Sequence, residues 1–302
     1  KHMDEITKIE TVDQYDQLFG LETLHPLVNV IDFSKATKSV EYIRMNIGFY
    51  CLFLKDAKCG DLKYGRKNYD YQEGTVVCMA PGQVSGIDNR NRTAPRTKSI
   101  GVLFHPDLIR GTSLGQNIKN YTFFSYEVNE ALHLSDQERE IVTDCIHKIR
   151  LELEHTIDKH SKQLIVRNIE LLLDYCMRFY ERQFITRNQA NKDIVVKFEQ
   201  LLDEYFQNQV AMTEGLPSVK YFADKACLSP NYFGDLIKKE TGKTAQEYIQ
   251  CRIIELAKER ILEGVQTVSQ VAYELGFQYP QHFSRLFKKH VGCTPNEYKQ
   301  KN

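Results

Sequence analysis

The sequence predicts an α+β chain of several domains. It has a β-barrel toward the N-terminus, then a helical hairpin, then an all-α C-terminal domain of two helix-turn-helix units joined by a helix. Three observations carry that prediction. Residues 27–105 are rich in β-branched and aromatic runs, broken by Gly60, Gly65, Gly74, Pro81-Gly82 and Gly86; short strands with glycine turns make a barrel or a sandwich. Residues 135–184 switch to apolar spacings of three and four, the period of amphipathic helices. Residues 218–299 contain one pattern twice. The length of 302 residues leaves room for two domains or three small ones.

Taken in order, residues 4–134 form the first domain. Residues 4–26 read as a mobile or helical arm that His25-Pro26 ends, with Ile6, Ile9, Val12 and Tyr15 able to form one helical stripe. The runs LVNVIDF, VEYIRMNIGFYCLFL, TVVCMAP and SIGVLF are the strands, with 40–54 read as a single one. Ser135-Asp136-Gln137-Glu138 is a capping box. It opens a helix with Val142, Cys145, Ile146, Ile149 and Leu153 on one face, and a second follows over 161–184. The pair is either a dimerisation hairpin or a cap on the barrel. ITRNQANKD, residues 185–193, reads as a linker. The last domain spans 194–302, with helix-turn-helix units at 218–240 and 267–290 and a connecting helix over 244–262 that Gly264 ends.

Val219, Ala223, Leu228, Phe233, Lys238, Gly242 and Tyr248 recur as Val268, Ala272, Phe277, Phe283, Lys288, Gly292 and Tyr298. The offset is 49 residues before the turn and 50 after it, so the second turn is one residue longer. A self-match of this kind marks a repeated structural unit. Each copy reads as a short helix, a turn and a second helix with a polar face. Gly276 suits a turn at positive φ; Cys227 takes its place in the first copy.

The run Gly276-Phe277, Phe283-Ser284-Arg285-Leu286-Phe287-Lys288-Lys289, Gly292, Thr294-Pro295 and Tyr298 resembles the AraC/XylS family of bacterial transcription regulators. The resemblance covers residues 195–300, and Lys299 stands where the family usually has arginine. It implies a cytoplasmic, sequence-specific DNA-binding regulator that is not an enzyme. It implies a cupin-like N-terminal domain that senses a small-molecule effector, a homodimer, and RNA polymerase among the partners. Double-stranded DNA is the principal partner, and no cofactor is expected. The alternative is a ligand-insensitive DNA-binding protein whose barrel recruits a protein partner.

The totals agree with this reading. Lys+Arg and Asp+Glu are both 40, while residues 216–302 hold 13 Lys/Arg against 9 Asp/Glu. That small excess suits a groove reader rather than a polycation. The eight cysteines include no CxxC, and the nine histidines include no HxH, so no metal or redox spacing is present. The cysteines read as reduced core residues. No apolar run approaches the ~20 residues of a membrane span. Lys1-His2-Met3 reads as a cloning remnant.

The second helix of each unit carries the candidate DNA contacts. Gln281, His282 and Arg285 begin the later one. Arginine can bridge guanine O6 and N7, and glutamine adenine N6 and N7. The matching face of the earlier helix offers Asn231 and Asp235. Asp235 can accept from cytosine N4 or make a local bond at the helix start. Ser229, Tyr232, Lys238, Lys239, Lys243, Ser284, Lys288 and Lys289 are the expected phosphate contacts. For an effector, Tyr42, Arg44, Asn46 and Tyr50 alternate along 40–54, with Tyr64 and Arg66 near a turn. That face lines either a cavity or the wet outside of the barrel.

Overall fold

In the computed structural model, the β-branched runs form two separate sheets, and the description covers residues 6–55, 74–88, 99–127 and 130–301. The chain divides into two units, Lys1–Thr186 and Arg187–Asn302.

The first unit opens with strand β1 (Ile6–Ile9) and helix α1 (Val12–Phe19). The expected helical arm is therefore half strand. Thr11 explains the break: its side chain and that of Gln14 form a reciprocal capping box that starts α1. Residues before the cap are left extended. The remaining strands are β2 (Val28–Asp32), β3 (Tyr42–Ile47), β4 (Tyr50–Lys55), β5 (Thr75–Met79), β6 (Val84–Asp88), β7 (Ser99–Phe104) and β8 (Leu132–His133). One sheet has the order β1-β3-β6, and the other β2-β7-β4-β5-β8. β1 runs parallel to β3; every other pairing is antiparallel.

Among the described residues the sheets are not closed into a barrel, which corrects that expectation. The stretch 40–54 is not one strand. At Gly48-Phe49 the chain leaves the three-stranded sheet and enters the five-stranded one. The Gly48 amide donates to Ile9 O at 2.8 Å, and an added Cβ there would lie 3.0 Å from Glu10 O. Core residues Met45, Ile47, Phe49, Cys51, Phe53 and Leu103 come from both sheets and the bend between them, joined by Val12, Tyr15 and Phe19 of α1.

After β7, short helices α2 (Pro106–Ile109) and α3 (Ser113–Asn117) precede the hairpin. The hairpin is α4 (Asp136–Glu154) and α5 (Ser161–Thr186), with the predicted Ser135–Glu138 capping box in place. It is tied to the five-stranded sheet. Buried Gln183 accepts from the His133 amide at 2.8 Å and donates to Ala131 O at 3.2 Å. It thus satisfies backbone at a sheet edge that would otherwise stay unpaired. Arg182 bridges Glu138 and His133 O, both at 2.6 Å.

The second unit is all helix: α6 (Asn188–Gln207), α7 (Val210–Glu214), α8 (Val219–Ala226), α9 (Pro230–Thr241), α10 (Ala245–Glu263), α11 (Val268–Glu274), α12 (Pro280–Val291) and α13 (Pro295–Lys301). No helix among the described residues is long and apolar enough to cross a membrane.

Candidate nucleic-acid interface

The two predicted helix-turn-helix units are α8–α9 and α11–α12. In both, the first helix ends in the same closing bond: Leu228 N donates to Ala223 O, and Phe277 N to Ala272 O, each at 3.0 Å. This six-to-one bond satisfies a carbonyl that the helix end leaves open. It requires positive φ at the turn residue, which is +58° at Cys227 and +93° at Gly276. Cys227 accepts a left-handed conformation that costs an L-residue roughly 1–2 kcal/mol.

Gly276 has a second reason to be glycine. An added Cβ would lie 2.6 Å from Gly215 C and 2.7 Å from Gly215 O. The backbone leading into the first unit therefore rests directly on the turn of the second. The two units are also joined through α10, whose buried side is Ile249, Ile253, Ile254, Ala257 and Ile261. At 19 residues, α10 is about 28 Å long. Its flanks are pinned by Arg252–Asp203 at 2.8 Å and Arg260–Glu274 at 3.1 Å.

Aromatic cores seat the second helices. Phe198 of α6 packs on Phe222, Phe233 and Tyr248 with ring centroids 5.1, 5.2 and 5.4 Å away. In the later copy Phe283 meets Phe277 at 5.4 Å and Phe287 at 5.8 Å, and Phe287 meets Tyr298 at 5.5 Å. The Tyr248 hydroxyl donates to Glu199. Burial first, and then that carboxylate, pushes its pKa up to about 12. Thr244 with Glu247, and Thr294 with Glu297, bond at the start of the following helix in each copy. The Thr244 and Thr294 backbone amides hold both glutamates below the usual carboxylate range.

With the apolar side fixed, the other side of α12 faces out. Gln281, His282, Arg285, Lys288 and Lys289 are all exposed, and Ser284 is half-buried. On α9, Asn231, Lys238 and Lys239 are exposed and Asp235 is half-buried; Lys243 lies exposed just past the helix. Ser229 and Tyr232 need correction as phosphate contacts, because both are buried. The Ser229 hydroxyl caps α9 by accepting from the Tyr232 amide at 3.2 Å, and the Tyr232 ring belongs to the core.

The expected effector set does not converge. Tyr42, Arg44 and Asn46 alternate with inward Met45 and Ile47, so they line the outer face of the three-stranded sheet. Tyr50 lies on the other sheet, with ring centroids 5.0 Å from both Phe104 and Phe124. Tyr64 and Arg66 lie outside the described residues. Two cavities of the first unit lie elsewhere. One, of about 370 Å³, is lined by Thr112, Ser113, Lys162 and Arg167 among others, and one, of about 180 Å³, by Leu27, Leu108, Leu153 and Ile165 among others. No group of three or more potential metal ligands occurs among the described residues.

A family model described as a helix-turn-helix domain matches residues 222–301. The uncharacterized transcriptional regulatory protein YesN of Bacillus subtilis (strain 168) is 37% identical over 87 residues, 28% of this chain and 24% of that protein. The chain thus spans about a quarter of that relative's length. The transposon Tn10 TetD protein of Escherichia coli is 31% identical over 145 residues, 48% of this chain and 91% of that protein. Among solved structures, the C-terminal domain of AraT, a response regulator from Geobacillus stearothermophilus, is 25% identical, covers 36% of this chain and 85% of that one, and has a TM-score of 0.33. The chain belongs to the AraC/XylS family of transcriptional regulators.

Proposed function

We propose that the second unit binds double-stranded DNA sequence-specifically, with α12 and α9 in successive major-groove segments. The observation that carries this reading is the pair of repeated units with exposed polar helix faces, locked by α10 and by the Gly215–Gly276 contact. Successive major-groove segments on one face of B-DNA lie ~34 Å apart, a span that a rigid connector of this length suits. Gln281, His282 and Arg285 contact base edges, joined by Asn231 and Asp235 from α9. Lys238, Lys239, Lys243, Ser284, Lys288 and Lys289 contact phosphates and set affinity without reading sequence.

The first unit carries control. A small-molecule effector binds there and favours the arrangement in which both helices engage their site; only a difference in affinity between the two arrangements can do this. The α4–α5 hairpin pairs two copies, and the protein works in the cytoplasm beside RNA polymerase. The alternative is a first unit that recruits a protein partner and senses no ligand.

Selection of binding sites by the full chain from random duplexes tests the first part. The expected motif has two short elements about one helical turn apart. Recovery of sequences without a shared motif would overturn specific reading. A DNA affinity that changes with an added small molecule would separate control by effector from partner recruitment.

A further inference from the structure

The start of α12 departs from those of the other helices from α8 to the C-terminus. Each of the other five helices from α8 onward has a side-chain N-cap: Ser218, Ser229, Thr244, Thr267 and Thr294. At α12 the N-cap is Tyr279, which makes no side-chain cap bond. The 50-residue offset pairs Tyr279 with Ser229, and Pro280 with Pro230. The first copy thus spends this position on stability: Ser229 is 3% exposed and closes the helix start. The second copy gives that up. Tyr279 is 58% exposed, and its ring stands edge-on to His282, with centroids 5.5 Å apart.

An exposed tyrosine alone would mean little, since scattered apolar surface is normal. Here it replaces a stabilising cap, and it sits beside the first turn of the helix that carries Gln281, His282 and Arg285. Most of its area is uncovered, so the fold gains little from the ring. A flat apolar ring held at a groove-facing helix start matches one feature of DNA, the 5-methyl group of thymine, which is read by apolar contact.

We propose that Tyr279 is a specificity-determining residue that packs its ring on a thymine methyl group. The assignment rests on α12 lying in the major groove. The test uses the full chain and the duplex obtained by site selection. Tyr279→Ser restores the cap, so its melting temperature rises by about 3–6 °C, while preference for thymine at one position disappears. Replacing that thymine with uracil weakens wild-type binding about fourfold, the worth of one buried methyl-sized group, and leaves Tyr279→Ser binding unchanged. Tyr279→Phe keeps the preference.

Three results would overturn the proposal. Tyr279→Ser with unaltered base preferences, beside an impaired Arg285→Ala, removes Tyr279 and leaves α12 in the groove. Both variants unaltered removes α12 as well. Equal weakening on all sequences in Tyr279→Ser and Tyr279→Phe makes the hydroxyl a phosphate contact.

Discussion

The two helix-turn-helix units share a scaffold and differ at the surface. Both close their first helix with the same bond, both hold the turn at positive φ, and both seat the second helix through a phenylalanine at the same repeat position, Phe233 and Phe283. Their outward faces have diverged. Where α12 presents Gln281, Ser284 and Arg285, α9 presents Asn231, Gly234 and Asp235. Where α9 begins with a buried cap, α12 begins with an exposed ring. Packing tolerates few residues at a buried position, while a solvent-facing position is free to follow its partner. Under the proposed function, this divergence makes α12 the main reader and α9 the weaker one.

The largest effect should come from the turn. Gly276→Ala forces a Cβ against Gly215 at positive φ, and should cost about 2–4 kcal/mol in chemical denaturation. A loss below about 1 kcal/mol, typical of a glycine replaced in an open turn, would mean that the two units are not held by this contact. Next, Arg285→Ala should cost about 1–3 kcal/mol at the selected site and relax preference at one base pair. Asp235→Ala, at the matching position, should change affinity less than about threefold. Equal losses would erase the proposed division between the helices.

A smaller effect has the opposite sign. Cys227→Gly should stabilise the protein by about 0.5–1 kcal/mol. Relief of the left-handed strain outweighs the greater freedom of glycine in the unfolded chain, and the exposed thiol gives up little packing. A destabilised variant would show that the turn is not strained. Finally, Lys289→Ala should lower the slope of log affinity against log salt by about 1 and leave base preference intact. An unchanged slope would take Lys289 off the duplex.

Much of the second unit was legible because its signals are local. The apolar spacing of 283, 286 and 287 lies within a turn, and the 49- and 50-residue offsets lie between two copies of one pattern; the capping pairs Thr244–Glu247 and Thr267–Gln270 came only with the structure. The hairpin was readable for the same reason, from Ser135–Glu138 and the stripe after it. The contrast between exposed Tyr279 and buried Ser229 is one of burial, which no spacing reveals.

The sequence by itself determined the two helix-turn-helix units and the polar faces of α9 and α12, since each depends on residues a few positions apart, and their relation, since one pattern recurs at a fixed offset; α6, by contrast, begins at Asn188, inside the stretch 185–193 that reads as a linker. Only the tertiary structure decided which strands share a sheet, because Ile6 pairs with Arg44 and Tyr50 with Phe104, and pairing at such separation leaves no local trace. It also decided that the chain changes sheets at Gly48, which split the expected effector face, and that Ser229 and Tyr232 are inside. The Gly215–Gly276 contact belongs to the same class: it joins residues 61 positions apart, and an approach of two backbones carries no side-chain pattern to read.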